Sequence, residues 1–266
     1  MKLSYTIFDY ANAIAKDLIE IGAVHFRPED PFTFTSGRIS PIYVDVRRMI
    51  GPSAVRHRLS MIGSSFIYKE IGKENFSVIA GGETAGIPIA TLLADRIHKP
   101  LCYVRKAPKG FGRGAQIEGL SDEELAEGRK FLLCEDLCSD GGSKRNFIHA
   151  IRQSGNIVTD IFVVYSYGIF GAEESLAEDG ITLHSMVNAA KLIEVAEDLE
   201  AFPADTIAKI KDYVGQQSVL TIPEITFTPE QIEYLAELHK NETDYDPNTM
   251  IGVHEELVES SQEPSQ

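Results

Sequence analysis

The sequence predicts an α/β protein built on a parallel sheet, and three observations carry that expectation. Short apolar runs suited to buried strands alternate along the chain with stretches of helical period. The connections between them are short, as in strand–helix–strand units. Two of the strand-like runs lead straight into loops of small residues that open helices. There, backbone N–H groups and the helix dipole favour an anion. A length of 266 residues, 43% of them hydrophobic, supports one generous core with an appendage.

The elements follow in order. Ile7, Ala11, Ile14, Leu18 and Ile21 recur at helical spacing, and Gly22 is placed to end that helix. Residues 32–47 alternate around Ser36-Gly37, which predicts a hairpin with residues 42–46 as its return strand. Residues 53–71 read as a helix with Val55, Leu59, Ile62 and Ile67 on its buried side. Residues 78–80 form a short strand leading into Gly81-Gly-Glu-Thr-Ala-Gly-Ile-Pro88, with a helix over 89–98. Strands at 101–104, 131–134, 157–164 and 181–185 complete the sheet.

Residues 131–143, Phe-Leu-Leu-Cys-Glu-Asp-Leu-Cys-Ser-Asp-Gly-Gly-Ser, are the centre of the chain. Four apolar residues make a strand buried on both faces. Glu135 and Asp136 fall at its end, and a small-residue loop precedes a helix over 144–154. In an open α/β sheet, ligands sit at the carboxyl ends of strands. The two acids would repel a phosphate, so they suit hydroxyl groups or a metal ion on the same ligand. Residues 105–119 gather Arg105, Lys106, Lys109 and Arg113 among glycines against one acid, Glu118. A loop of this length is a lid or a solvated surface loop. Concentrating cations there, in an otherwise acidic chain, favours a lid that closes on phosphates. The spacing of Gly110, Gly112 and Gly114 is not that of a dinucleotide fingerprint.

Leu192, Val195 and Leu199 make one helix face; Ile207, Ile210 and Val214 make another, ended by Gly215. The folded domain is therefore drawn over 1–215. Residues 216–240 are a linker and helical extension with a capping box at Thr228-Pro-Glu-Gln231. Residues 241–266 are an acidic tail expected to be disordered. The net charge of −15 is concentrated at this end: residues 216–266 carry eleven acids and one base. Without a basic face the chain is not suited to nucleic acid, and no apolar run approaches the ~20 residues that span a bilayer. Cys102, Cys134 and Cys138 sit in apolar or loop contexts, which argues against a disulfide framework and for the cytoplasm. The Cys134–Cys138 spacing fits no zinc pattern, and His149 and His184 read as structural. Tyr165, Tyr167 and Phe170 suit either base stacking or the core.

In this order the motifs resemble those of the type I phosphoribosyltransferases, and within them the orotate-using branch, from residue 7 to residue 214. The hairpin Ser36-Gly-Arg-x-Ser-Pro-Ile-Tyr-Val-Asp-Val-Arg47 resembles the family's hood. Arg105-Lys106, Lys109, Gly112 and Glu118-Gly119 resemble its catalytic lid, and Glu135-Asp136 to Ser143 its phosphoribosyl pyrophosphate (PRPP) signature. Leu183-His-Ser185 resembles its last segment. The resemblance implies a Rossmann-like core with an N-terminal helix, a hood hairpin and a helical C-terminal extension. It implies transfer of ribose 5-phosphate from PRPP to a nucleobase, with Mg²⁺ on the pyrophosphate, in a homodimer. Lys109, Glu135 and Asp136 would be catalytic. Arg105, Lys106, Lys109, Glu135, Asp136 and the run Leu137, Cys138, Ser139, Asp140, Gly141, Gly142 and Ser143 would hold PRPP. Tyr43, Ser139 and Tyr167 would meet the base.

Orotate is the leading acceptor, giving orotidine 5′-monophosphate and pyrophosphate. Three departures bear on it. Thr35 stands where the family has Lys, Phe111 where the lid has His or Tyr, and Tyr167-Gly168 where an Asp-Arg pair binds the orotate carboxylate. The alternatives are a different acceptor base or, further off, a non-catalytic PRPP sensor.

Overall fold

The computed structural model describes residues 9–34, 36–108, 116–125 and 128–221, with side chains of the last helix described as far as Gln217. The chain divides after Thr221. The capping box and the acidic tail therefore lie outside the described residues, as do Ile7, Thr35, Lys109, Phe111 and Arg113.

Helix α1 (Tyr10–Glu20) begins where the Asp9 side chain accepts the Asn12 N–H at 2.9 Å. Its Ile14 and Leu18 are fully buried, as their spacing predicts. Asp17, buried on the same helix, accepts from Arg58 Nε at 3.0 Å and so ties α1 to α2 (Ser53–Phe66). Val55, Leu59 and Ile62 are buried on α2, which passes into a π-helical turn over Ile67–Ile71 and stops at Gly72.

The hairpin is smaller than its pattern suggests. Strand β1 (Val24–Phe26) precedes β2 (Phe32–Thr33), which pairs antiparallel with β3 (Ile39–Ser40) around Ser36-Gly37. Residues 42–46 are not its return strand. Strand β4 (Ile42–Val44) pairs with β1, Tyr43 opposite His25, and Val46 already belongs to a 3₁₀ turn. Pro41 separates the two pairings because it has no N–H to give a ladder. Beside it the Ser40 hydroxyl accepts the Ile42 N–H at 3.1 Å and turns the chain.

The alternating runs then build the expected sheet. Strands β5 (Val78–Gly82), β6 (Leu101–Val104), β7 (Ile117–Glu118), β8 (Lys130–Cys138), β9 (Ile157–Ser166) and β10 (Thr182–Asn188) lie in the order β10-β9-β8-β5-β6-β7. All neighbours are parallel except β6 and β7. Alternate residues of β8 enter opposite cores. Leu132 and Cys134 join the layer of α1, α2, α3 (Gly86–Ile97) and α7 (Ala189–Asp198). Phe131 and Leu133 join that of α5 (Gly142–Gln153) and α6 (Ala172–Glu178). A short α4 (Asp122–Leu125) lies between β7 and β8.

Several boundaries differ from the sequence reading, and so does one buried face. Strand β8 continues through Cys138, so Glu135 and Asp136 lie within it, because β9 pairs with it as far as Cys138. Helices α3 and α5 begin at Gly86 and Gly142, earlier than the starts at 89 and 144 that periodicity indicates. Leu199 is 42% exposed at the end of α7 and is no part of its buried face. Helix α8 (Ala204–Thr221) runs through Gly215, so 216–221 are helix rather than linker. A glycine inside a helix costs about 1 kcal/mol and is tolerated where neighbours are anchored. Here Ile207 and Ile210 are buried and the Tyr213 hydroxyl donates to Ile39 O at 3.2 Å.

Candidate active site

The carboxyl ends of β5, β6, β8 and β9 meet the first turns of α3 and α5. Gly141 holds a left-handed conformation (φ 78°) at the start of α5, with Asp140 Oδ1 accepting the Gly142 N–H at 3.1 Å. Two cavities open beside this loop, and Ser143 lines both. The first, of about 380 Å³, is bounded by Phe32, Thr33, Phe34, Ser36 and Tyr43 from the hairpin region, and by Leu137, Ser139, Asp140, Ser143 and Tyr167. The second, of about 570 Å³, has a charged lining that includes Arg47, Glu83, Lys106, Glu135, Asp136 and Lys144.

Tyr43, Ser139 and Tyr167 thus come together in the aromatic cavity. Tyr167 packs on Phe34 and Phe170 with ring centroids 5.5 Å apart in each case, and burial raises its hydroxyl pKa well above the usual value. Tyr165 is fully buried against Tyr167 and belongs to the core. Arg38 does not line the cavity but reaches one residue that does, its Nε 3.9 Å from Asp140 Oδ2, while its guanidinium lies 4.9 Å from the Phe170 ring centre.

Lys106, Glu135, Asp136 and Ser143 come together in the charged cavity. Arg105, Cys138, Gly141 and Gly142 line neither, and Lys109 lies outside the described residues. Cys138 is buried in the strand, and Gly141 abuts Leu176. Glu135 is buried, with Oε2 at 3.4 Å from Lys144 Nζ. Burial pushes its carboxyl up to about 7 against the opposing pull of Lys144. Its Oε1 projects into the space that side chains at Gly82 and Gly86 would fill. His184 Nε2 is 2.8 Å from Asp160 Oδ1, and His149 is exposed on α5.

Sequence reasoning missed several participants. Glu83 accepts the Lys106 N–H at 2.8 Å, and Asn146 donates to Lys106 O at 2.7 Å, so the backbone entering the cationic loop is held from two sides. Arg47 joins the cavities: it lines the charged one and donates to the Tyr43 hydroxyl at 2.8 Å. Glu83 lay within a loop already singled out for its glycines and Arg47 at the end of the hood motif, whereas nothing local marked Asn146. The loop's ends are closed by Arg105 N–H donating to Gln116 O at 2.9 Å.

Residues 57–166 match the family model for the phosphoribosyl transferase domain, the stretch from α2 to the end of β9. Fold and site define a type I phosphoribosyltransferase. The chain is 42% identical over 208 residues to orotate phosphoribosyltransferase of Cereibacter sphaeroides, covering 78% of this chain and 88% of that one. It is 40% identical over 206 residues to the Rhizobium meliloti enzyme of that name, with coverages of 77% and 87%. It belongs to the orotate phosphoribosyltransferase family. Among solved structures, Leishmania donovani UMP synthase superposes with TM-score 0.65 at 27% identity, covering 77% of this chain and 42% of that one. Orotate phosphoribosyltransferase of Aeropyrum pernix superposes with TM-score 0.55 at 29% identity, with coverages of 71% and 99%. The chain is accordingly an enzyme of the pentosyltransferase class.

Proposed function

We propose that the enzyme transfers ribose 5-phosphate from PRPP to orotate, yielding orotidine 5′-monophosphate and pyrophosphate. The observation that carries this reading is the pair of adjoining cavities, one aromatic and one charged, that share Ser143 at the start of α5. The bond from the sugar's anomeric carbon to the pyrophosphate oxygen breaks, a bond to the base nitrogen forms, and the proton of that nitrogen is released with the departing pyrophosphate.

The charged cavity takes the ribose and diphosphate of the donor, the aromatic cavity takes the base, and the loop between them, with Ser139 and Asp140 on the aromatic side and Ser143 on both, takes the donor's 5-phosphate end. Asp136 faces the ribose hydroxyls, and the loop from Ser139 to Ser143 takes the 5-phosphate at the helix start. Lys106, with Arg105 and Lys109 of the lid, offsets charge developing on the departing pyrophosphate. Lid closure excludes water, which competes as nucleophile. Glu83 and Asp136 both line the charged cavity, and one or two carboxylates suit an ion that takes its other ligands from substrate phosphates. Glu83 and Asp136 would hold that Mg²⁺, which would supply charge neutralisation on the leaving group.

Where the family carries an Arg for the orotate carboxylate, this chain has Gly168 beside the buried Tyr167. Arg38, beside Asp140 of the aromatic cavity, supplies the guanidinium instead. The same departure supports a second reading, an acceptor base without a carboxylate. Pyrophosphate release from PRPP and Mg²⁺ against a panel of bases decides between them. Release with orotate is expected; release only with an uncharged base overturns the orotate assignment, and no release with any base overturns the transferase reading.

A homodimer is part of this proposal, supported by the resemblance and by Met61 and Tyr68, which are 42% and 47% exposed. Three buried free thiols support the cytoplasm. Among the described residues no helix is long and apolar enough to cross a membrane.

A further inference from the structure

Lys144 occupies a costly place. It is the third residue of α5, in the first turn of a helix, where the macrodipole disfavours a cation. It is also only 7% exposed, and burying an ammonium is unfavourable. A buried ion pair kept for stability alone is commonly replaceable by apolar side chains of similar size. Yet this ammonium lines the charged cavity with Lys106 and Asp136, and among the described residues its one ion-pair partner is Glu135, at 3.4 Å.

Glu135 is itself seated from behind. An added Cβ at Gly82 would lie 1.9 Å from its Oε1, and one at Gly86 would lie 2.5 Å from it, so the two glycines form a cradle for that oxygen. Among the described residues Oε1 has no hydrogen-bond partner, while Oε2 faces Lys144. The carboxylate is thus packed against strand and helix backbone on one side and aims a cation into the cavity on the other.

We propose that Lys144 is a substrate-binding cation for the diphosphate end of PRPP, and that Glu135 is the positioning residue that holds it there rather than a contact to the sugar. This rests on the PRPP reading above. An ammonium has three donors and one is directed at Glu135, which leaves capacity for phosphate oxygens. Because it is held in place before the ligand arrives, little reorganisation accompanies binding.

The test measures PRPP affinity by calorimetry with Mg²⁺, KM values for PRPP and orotate, and melting temperature. It compares the wild type, Lys144→Met and the double variant Glu135→Gln with Lys144→Met. Lys144→Met is expected to weaken PRPP binding and raise its KM at least tenfold, to leave the orotate KM within about threefold, and to lower the melting temperature by stranding a buried carboxylate. The double variant removes that stranded charge and keeps the shape in the glycine cradle. It is expected to recover the melting temperature and to stay at least tenfold weaker for PRPP. Recovery of both would overturn the proposal and make the pair structural only. Should Lys144→Met alone fail to fold, the double variant decides the matter by itself, on the same two readouts. A wild type that does not bind PRPP overturns the donor reading itself, whereas one that binds PRPP only as tightly as the variants overturns the role of Lys144 alone.

Discussion

Replacing Gly86 by alanine tests the seat of α3 against β8, on which the charged cavity depends. The added Cβ would lie 2.4 Å from the Cys134 carbonyl oxygen and 2.5 Å from Glu135 Oε1. Ordinary contacts begin near roughly 3.5 Å, so the helix start and the strand must part by about 1 Å. Overpacking of this kind costs about 1–3 kcal/mol. Alanine's advantage in a helix is at most about 1 kcal/mol and smaller at the first position, so the collision wins. For a unit of this size about 2 kcal/mol corresponds to a melting temperature lower by about 4–8 °C. Because Glu83, Thr84 and Ala85 line the cavity just before Gly86, the shift is expected to raise the PRPP KM at least threefold. Gly215→Ala is the control: nothing lies within 4 Å of the added Cβ, and the variant is expected to gain about 0.5–1 kcal/mol. Differential scanning fluorimetry and initial rates of pyrophosphate release read both variants. A Gly86→Ala protein with unchanged melting temperature and KM would refute the rigid packing inferred between β8 and α3.

Arg38→Ala is expected to raise the orotate KM at least tenfold with the PRPP KM nearly unchanged; equal effects on both substrates would remove Arg38 from the acceptor side. Lys109→Ala is expected to lower turnover at least tenfold while the melting temperature holds, and unaltered turnover would eliminate the lid role. Burial pushes the Cys102 thiol up to about 12 and raises the thiols of Cys134 and Cys138 as well. At pH 8 a thiol at about 12 is ionised about once in 10⁴, so a thiol reagent should label the folded enzyme only as fast as it unfolds. Rapid stoichiometric labelling would contradict that packing. Chelation by EDTA should stop pyrophosphate release yet leave the melting temperature within about 1 °C, whereas a fall of several degrees would reveal a resident structural ion.

The donor half of the site was legible in the sequence because its signals are local. A strand, two acids, a small-residue loop and a helix follow one another within 131–154, and periodicity reports each. The length of β8 was not legible, since its continuation through Glu135 and Asp136 depends on pairing with β9, which no local pattern records. The hood was misread for a related reason. Residues 42–44 alternate as a return strand should, but Pro41 hands them to β1 instead. Arg47 was legible only as the end of the hood motif, and Asn146 and Lys144 escaped notice because a lone cation or amide looks like a solvated side chain until the fold shows what it faces. Tyr167 was named on its place in the family's pattern, and its packing on Phe34, distant in sequence, is a product of the tertiary fold.

The hydrogen bond from Tyr213 to Ile39 O spans 174 residues, and it sets an order on synthesis. Every strand bordering the donor cavity has been synthesised by residue 166, so that half can take shape while the rest of the chain is still being made. The hairpin roofing the aromatic cavity emerges early, just after α1 and β1, and waits long, because its buttress on α8 is almost the last part of the described fold to appear. Closing so long a loop is slow compared with pairing neighbouring strands. A nascent chain stalled once β9 has cleared the exit tunnel, but before α8 has, should therefore bind the donor before it can hold an acceptor, and competence for transfer should arrive only with the final helix.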